Sequence, residues 1–509
     1  MDSRMKNGAR NLGAATVNRV ILMVLPFIAR TVLVRILGSE YLGLSGLFTS
    51  ILNVLNLSEL GFGSALVYSM YKPIAENDTK KVCALLNLYR IIYKWIGIVI
   101  TVAGCACAPF LSLLIKNGTP PDINIYVLYF IYLANVVVSY EFYAYKVALF
   151  TAYQRSDIKS NISTIFNIII YVVQVGALIL FKNYYIYIIW LPILTVIENV
   201  YTAKLSLKYY PEIKCYGEVA YEDKIAIKDH VKGLALQKIC SASRNSFDSI
   251  IVSMFLGLNA IAMYNNYYFI MNSIHMFLYQ IPNAVRASVG NSIAIETQKK
   301  NFDDFNKMNL IYVCITGICA TCLVCLYQPF MKLWMGKDMT FPTVTMMLFC
   351  IYFVELCFSD IISLYKDGAG LWWKGRYRTV IEAIMNLILN FLLGWLYGVN
   401  GIILATIISM AIMTLGYGGY INFKYYFTDE SFLKYVFVTL AQFFVICFAA
   451  ALAYVICNVI RVNILLDLVI RLFVAVCVPL GVYWLIYRKT KYYSEAKKFI
   501  CSILKTVIR

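Results

Sequence analysis

Histidine is nearly absent, with two residues in a chain of 509. Imidazole is the commonest metal ligand in proteins, so metal-centred chemistry has little to work with. Charge is scarce too: 14% of residues are charged, against about a quarter in soluble globular domains. A chain this poor in charge has too little polar surface to cover a water-soluble fold of its size. No phosphate-binding glycine loop followed by lysine and no nucleophile elbow is found, so no enzyme signature is visible.

What is present is apolar. Hydrophobic residues make up 61% and aromatic residues 15%, including 41 tyrosines and 7 tryptophans that often lie at the ends of apolar runs, as in the aromatic belts of membrane proteins. Runs of about 20 apolar residues suffice to cross a bilayer. They fall near 12–37, 41–71, 83–114, 124–152, 160–181 and 184–207, then near 232–256, 259–294, 308–331, 343–365, 379–397 and 400–423, and lastly near 435–458 and 464–487. The expected fold is an all-α polytopic membrane protein with about fourteen transmembrane helices. It comprises an N-lobe (1–208), a cytoplasmic linker (209–230), a C-lobe (231–424), and two further helices with a basic tail (425–509). The first segment reads as a retained helix and not as a cleaved signal, because Arg19, Pro26, Arg30 and Arg35 interrupt it.

The net charge of +18 sits in short clusters between the apolar runs. This pattern orients a membrane protein and argues against nucleic acid. With the N-terminus inside, inner segments hold about 30 of the 45 Lys and Arg, and outer loops hold Lys116, Lys182, Lys332, Lys337 and Arg461. The bias places both termini in the cytoplasm. It also leaves outer loops of about ten residues, too short for the catalytic loop of a membrane-bound glycan polymerase or ligase.

The two groups of six spans echo each other at an offset of 219 residues. PIAENDTKK at 73–81 falls on SIAIETQKK at 292–300, Leu37 and Gly38 fall on Leu256 and Gly257, Asn167 falls on Asn386, and Arg155 and Lys159 fall on Lys374 and Arg378. Two lobes related as parallel repeats are a plan shared by several transporter folds.

Ionisable groups inside spans are costly in hydrocarbon and mark functional positions or internal pairs. The candidate cavity bases are Arg30, Arg90, Lys94, Lys238, Arg244 and Arg286; Arg90 and Lys94, four apart, repel unless an anion or carboxylate lies between them. The candidates for charge pairing or ion coupling are Glu59, Glu141, Asp248, His275 and Glu355, with Asp360 beside the last. His275 fits either a proton relay or a hydrogen-bonded packing residue. Arg19, Arg35 and Arg471 lie near span ends, where long basic side chains reach the interface. Cys319, Cys322 and Cys325 mimic a metal spacing but lie in an apolar run without histidine or carboxylate, and read as packing.

The stretch from Leu33 to Tyr93 carries LGSEYLGL at 37–44, ELGFGSA at 59–65 and KPIAENDTKK at 72–81, with YQRSDIKSN following at 153–161. It resembles the polysaccharide transport proteins, the O-antigen and capsule flippases of the multidrug, oligosaccharidyl-lipid and polysaccharide exporter superfamily. That resemblance implies a bilobed carrier that flips an undecaprenyl-pyrophosphate-linked oligosaccharide across a bacterial cytoplasmic membrane by alternating access. No cofactor is implied beyond proton or sodium coupling. The implied partners are the lipid-linked oligosaccharide, membrane lipid, and polysaccharide polymerase and assembly proteins. Among relatives, a lipid II flippase shares the fourteen-span plan, while a multidrug or cation antiporter normally stops at twelve spans.

Overall fold

The computed structural model describes residues 2–56, 62–116, 118–371, 374–459 and 463–498, without the side chains of 2–9, 12, 64, 226, 229–230, 232–245 and 464–465. It is all-α, with no strand among the described residues. The helices are α1 (Asp2–Ile36), α2 (Ser39–Leu55), α3 (Phe62–Ala75), α4 (Thr79–Cys107), α5 (Ile125–Glu141), α6 (Val147–Ala152), α7 (Ser156–Phe181) and α8 (Tyr184–Tyr209), followed by α9 (Tyr221–Leu256), α10 (Leu258–Leu278), α11 (Gln280–Ile295), α12 (Gln298–Trp334), α13 (Thr343–Gly368), α14 (Arg376–Tyr397), α15 (Val399–Met410), α16 (Gly418–Tyr425), α17 (Phe432–Val459) and α18 (Ile464–Tyr487). Among the described residues, ten helical stretches are long and apolar enough to cross a membrane, and the bent pair around α5 and α6 makes an eleventh.

The three other expected spans are helical as well, but in pieces or with a polar extension. The run 41–71 is α2 and α3, and the run 259–294 is α10 and α11. The run 232–256 is the last two thirds of α9, which begins at Tyr221, so nearly half of the stretch expected as a linker is helix.

The offset of 219 now holds for whole elements. It carries the start of α1 onto that of α9, α2 onto α10, and α4 onto α12. Caps repeat with it. Gly38 and Gly257 precede α2 and α10 with φ of 110° and 88°, a backbone that side chains with a Cβ rarely adopt. The Asp78 side chain accepts from the Lys81 N–H at the head of α4, and the Thr297 side chain accepts from the Lys300 N–H at the head of α12. Even an interruption is shared: Pro192 in α8 falls on Ala411, where a π-helical segment, Ala411–Tyr417, joins α15 to α16. Proline removes one helical N–H and the π turn shifts several, so both loosen the helix at repeat-related positions.

The chain divides into two compact units, 1–262 and 263–509. The boundary lies beyond the expected linker because α9 packs with the first unit, on α2 and α3. The Lys116 ammonium donates to the Phe255 carbonyl at the C-terminal end of α9, where the helix carries partial negative charge. A Cβ on Gly43 of α2 would stand 2.2 Å from the Leu258 carbonyl, so the glycine of the LGSEYLGL motif permits this approach. In the second unit α17 and α18 pack on α12, and α14 and α15 form a tight hairpin at Gly398.

The hairpin is tied by buried amides and hydroxyls. Asn386 of α14 donates to Thr406 of α15 at 3.0 Å, and within α14 Asn390 donates to the Asn386 side-chain oxygen at 3.2 Å. Such bonds hold helices together in lipid, where apolar contact gives no preference between protein and solvent. A Cβ on Gly401 would lie 1.8 Å from the Leu393 carbonyl oxygen. Gly401→Ala is therefore expected to destabilise the solubilised protein by about 1–3 kcal/mol in thermal unfolding. Gly481→Ala, where a Cβ meets nothing within 4 Å, is expected to leave the midpoint in place.

Candidate functional site

Two carboxylates stand at repeat-related positions, Glu141 at the end of α5 and Asp360 in α13, and the same offset places Tyr93 of α4 on Tyr312 of α12. In the second unit these groups form one buried cluster. The Asp360 Oδ2 accepts from the Tyr312 hydroxyl at 2.7 Å and lies 3.1 Å from His275 Nε2, so α10, α12 and α13 meet at one oxygen. Cys357 lies one turn before Asp360, fully buried. Of the two readings open for His275, its bond to a carboxylate keeps both alive.

In the first unit the Glu141 carboxylate is pressed against α4. A Cβ on Gly97 would stand 2.6 Å from Glu141 Oε1, so the carboxylate lies directly over this glycine. Arg90, Lys94 and Gly97 follow i, i+4, i+7 spacing and share one face of α4. That places Glu141 beside the face bearing the two like charges, both of them exposed. The chain then bends by 48°, with Tyr143 at φ 61°, and continues as a short 3₁₀ turn, Ala144–Lys146. Arg90 lies within electrostatic reach of Tyr145, and the buried Lys146 ammonium stands 5.9 Å from the same ring. Broken backbone at membrane depth is tolerated where protein or water satisfies the freed groups. The bend thus gathers Arg90, Tyr145 and Lys146.

The other candidates lie apart. Arg30 on α1 is within electrostatic reach of Tyr171 on α7 and Tyr187 on α8. Arg286 donates to the Tyr279 hydroxyl at 2.8 Å and pairs with Asp367 at 3.6 Å. Glu355 and Asp248 are buried. The side chains of Lys238 and Arg244 lie outside the described residues, as does Glu59 entirely, so the Arg244–Asp248 pair is not among the described contacts. Arg471 pairs with Asp467 within α18 at 2.7 Å.

Two further ionic clusters were not singled out from sequence. Arg378 donates to Thr414 at 2.7 Å and lies 3.4 Å from Glu382, and Thr414, in the π-helical segment, donates to Glu382 at 2.7 Å. Near the start of α7, Asp157 receives Arg10 at 2.8 Å and Arg155 at 3.0 Å, and its own N–H donates to Asn11, clasping α1 to α7. The hydrogen bond to Asp157 raises the Arg155 guanidinium above its usual value. Beyond α18, Asp303 likewise holds the Lys491 ammonium above its usual range. The sequence did hold a signal for Tyr312, since the offset that maps Glu141 onto Asp360 also maps Tyr93 onto it. Cys357 had none, being one of 15 cysteines, most of them in apolar runs.

No protein-family model and no curated protein sequence matches the chain. Solved structures do match by fold. The lipid II flippase MurJ in an inward closed conformation is 15% identical, with a TM-score of 0.67, covering 94% of this chain and 98% of its own. An inward-facing multidrug resistance MATE family transporter of the MOP superfamily is 14% identical with a TM-score of 0.61, covering 79% and 97%. The Vibrio cholerae MATE transporter VcmN in its bent form is 12% identical with a TM-score of 0.53, covering 83% and 98%. The fold of this multi-pass membrane protein is thus one found in flippases and transporters.

A double-mutant cycle tests the cluster around Asp360. Asp360→Asn and Tyr312→Phe are expected to be coupled by about 0.5–2 kcal/mol in the unfolding of solubilised protein, the range for hydrogen bonds between membrane helices. Additive effects would show that the bond contributes nothing.

Proposed function

We propose that the chain is a flippase of this superfamily. It moves a polyprenyl-pyrophosphate-linked oligosaccharide from the inner to the outer leaflet of a bacterial cytoplasmic membrane, with both termini in the cytoplasm. The observation that carries this reading is the span of the fold match. MurJ accounts for 94% of the chain, whereas the MATE transporters account for 79–85%, a shortfall close to the length of 425–509, which holds α17 and α18. The motifs between Leu33 and Tyr93 support the polysaccharide branch.

The chemistry agrees with an anionic headgroup. Pyrophosphate offers several oxygens to guanidinium and ammonium donors, and the exposed pair Arg90 and Lys94 presents two cations on one helix face. Arg30 and Lys146 add to the cationic character of the first unit. Coupling is assigned to the repeat-related carboxylates Glu141 and Asp360; the imidazole beside Asp360 favours a proton over sodium there. The flipped product would pass to a polysaccharide polymerase on the outer side.

A second reading, lipid II as substrate, is favoured by the same MurJ match. Both substrates share the polyprenyl-pyrophosphate group, so one experiment separates them. Deletion in the native host, followed by labelling of lipid-linked glycan from the periplasmic side, is expected to show surface-polysaccharide precursor trapped inside. Wild type restores labelling, and an Arg90→Ala, Lys94→Ala variant reduces it at least tenfold. Rescue of a lipid II flippase-depleted strain, with precursor topology unchanged by deletion, would select lipid II instead. Loss of neither activity would overturn the flippase reading.

A further inference from the structure

His275 Nε2, the Cys357 sulfur and an Asp360 carboxylate oxygen lie within 4.8 Å of one another. Cys357 is 0% and Asp360 8% exposed, while the His275 side chain retains 12%, which leaves an approach from its side. From this geometry we infer that the three side chains bind a divalent transition metal ion of the zinc type. The inference uses the same His275 and Asp360 as the coupling proposed above, with metal ion and proton as alternative occupants, and its test reads metal binding and not transport.

Donor chemistry selects the ion. Imidazole nitrogen, thiolate sulfur and carboxylate oxygen together suit Zn2+ and its spectroscopic substitute Co2+, whereas sodium, magnesium and calcium prefer shells of oxygen. Around a tetrahedral ion, donors at zinc distances stand about 3.5 Å apart. The imidazole and carboxylate are already at 3.1 Å, and the sulfur lies within 4.8 Å of both. On binding, the metal–sulfur bond replaces the thiol S–H, and that proton leaves to water. One thiolate, one carboxylate and a neutral imidazole then balance the 2+ ion, giving a site of zero net charge inside an apolar span, where net charge is costly. Tyr312 holds the carboxylate from a third helix, the usual task of a group behind a metal ligand. Three protein donors leave a fourth position for water, so the ion is exchangeable.

The repeat provides an internal comparison. The positions equivalent to His275, Tyr312, Cys357 and Asp360 in the first half are Asn56, Tyr93, Val138 and Glu141. The tyrosine and the acid occur in both halves, while the imidazole and the thiol occur only in the second. The fold therefore does not need these two soft donors at this place. By contrast, Cys325 of the metal-like triplet sits in an apolar cluster with Ala453, Cys457 and Ala475.

The test uses purified full-length protein in lipid nanodiscs, titrated with Co2+ under reducing conditions. One equivalent is expected to give a thiolate-to-cobalt charge-transfer band in the near ultraviolet that Zn2+ abolishes. Cys357→Ser should remove the band and Cys322→Ser should keep it. His275→Asn should weaken Co2+ binding at least tenfold, no less than loss of a supporting partner costs. Should Cys357→Ser fail to fold, the unfolding midpoint decides: Zn2+ should raise it in wild type and Cys322→Ser but not in His275→Asn. No band at one equivalent, a band that survives in folded Cys357→Ser, or equal binding by wild type and His275→Asn would overturn the site.

Discussion

A charge in hydrocarbon must meet an opposite charge, a hydrogen-bond partner or water, at a cost of about 3 kcal/mol or more when it does not. The structure is organised by that demand. At the ends of the apolar runs Asp157 draws Arg10 and Arg155 together where α1 meets α7, and Glu382 is satisfied by Arg378 and Thr414 within the second unit. Asp467 and Arg471 satisfy each other one turn apart. Groups such as Arg90 and Lys94, exposed on one helix face, are of another kind, because they keep their charge available to something outside their own helix.

Tandem repetition meets the same demand twice with one set of helices. Where the halves agree, as at the glycines before α2 and α10 or the tyrosine–acid pairs Tyr93–Glu141 and Tyr312–Asp360, the requirement is architectural. Where they diverge, each half gains its own chemistry. The first has the bend after Glu141, with Arg90, Lys94 and Lys146 around it; the second keeps α13 straight there and adds His275 and Cys357. Divergence between halves is thus the sharper guide to specialised sites.

Much of the fold was legible because bilayer thickness fixes the length of an apolar run and the offset of 219 survives in polar loops. The bend after Glu141 was not, since Phe142 and Tyr143 carry no helix-breaking signal. The unit boundary at 262 was hidden for a similar reason: α9 opens the second repeat in sequence, yet it packs with the first unit, and Gly43 makes room for Leu258 just beyond its end. At the site, His275 and Asp360 are separate candidates in the sequence, 85 residues apart. Only three-dimensional packing joins them with Tyr312 and Cys357, and only it assigns Arg286 a partner in Asp367.

The central claim is that a pyrophosphate-linked glycolipid is moved by ion exchange at Glu141 and Asp360. Its most direct measurement is leaflet exchange of a fluorescent polyprenyl-pyrophosphate saccharide in proteoliposomes, with and without an imposed pH gradient. The account predicts exchange by wild type that the gradient accelerates, with acceleration lost in Glu141→Gln or Asp360→Asn while the proteins stay folded. Exchange equal to that of protein-free liposomes, or gradient-driven exchange undiminished in the double variant, would contradict it.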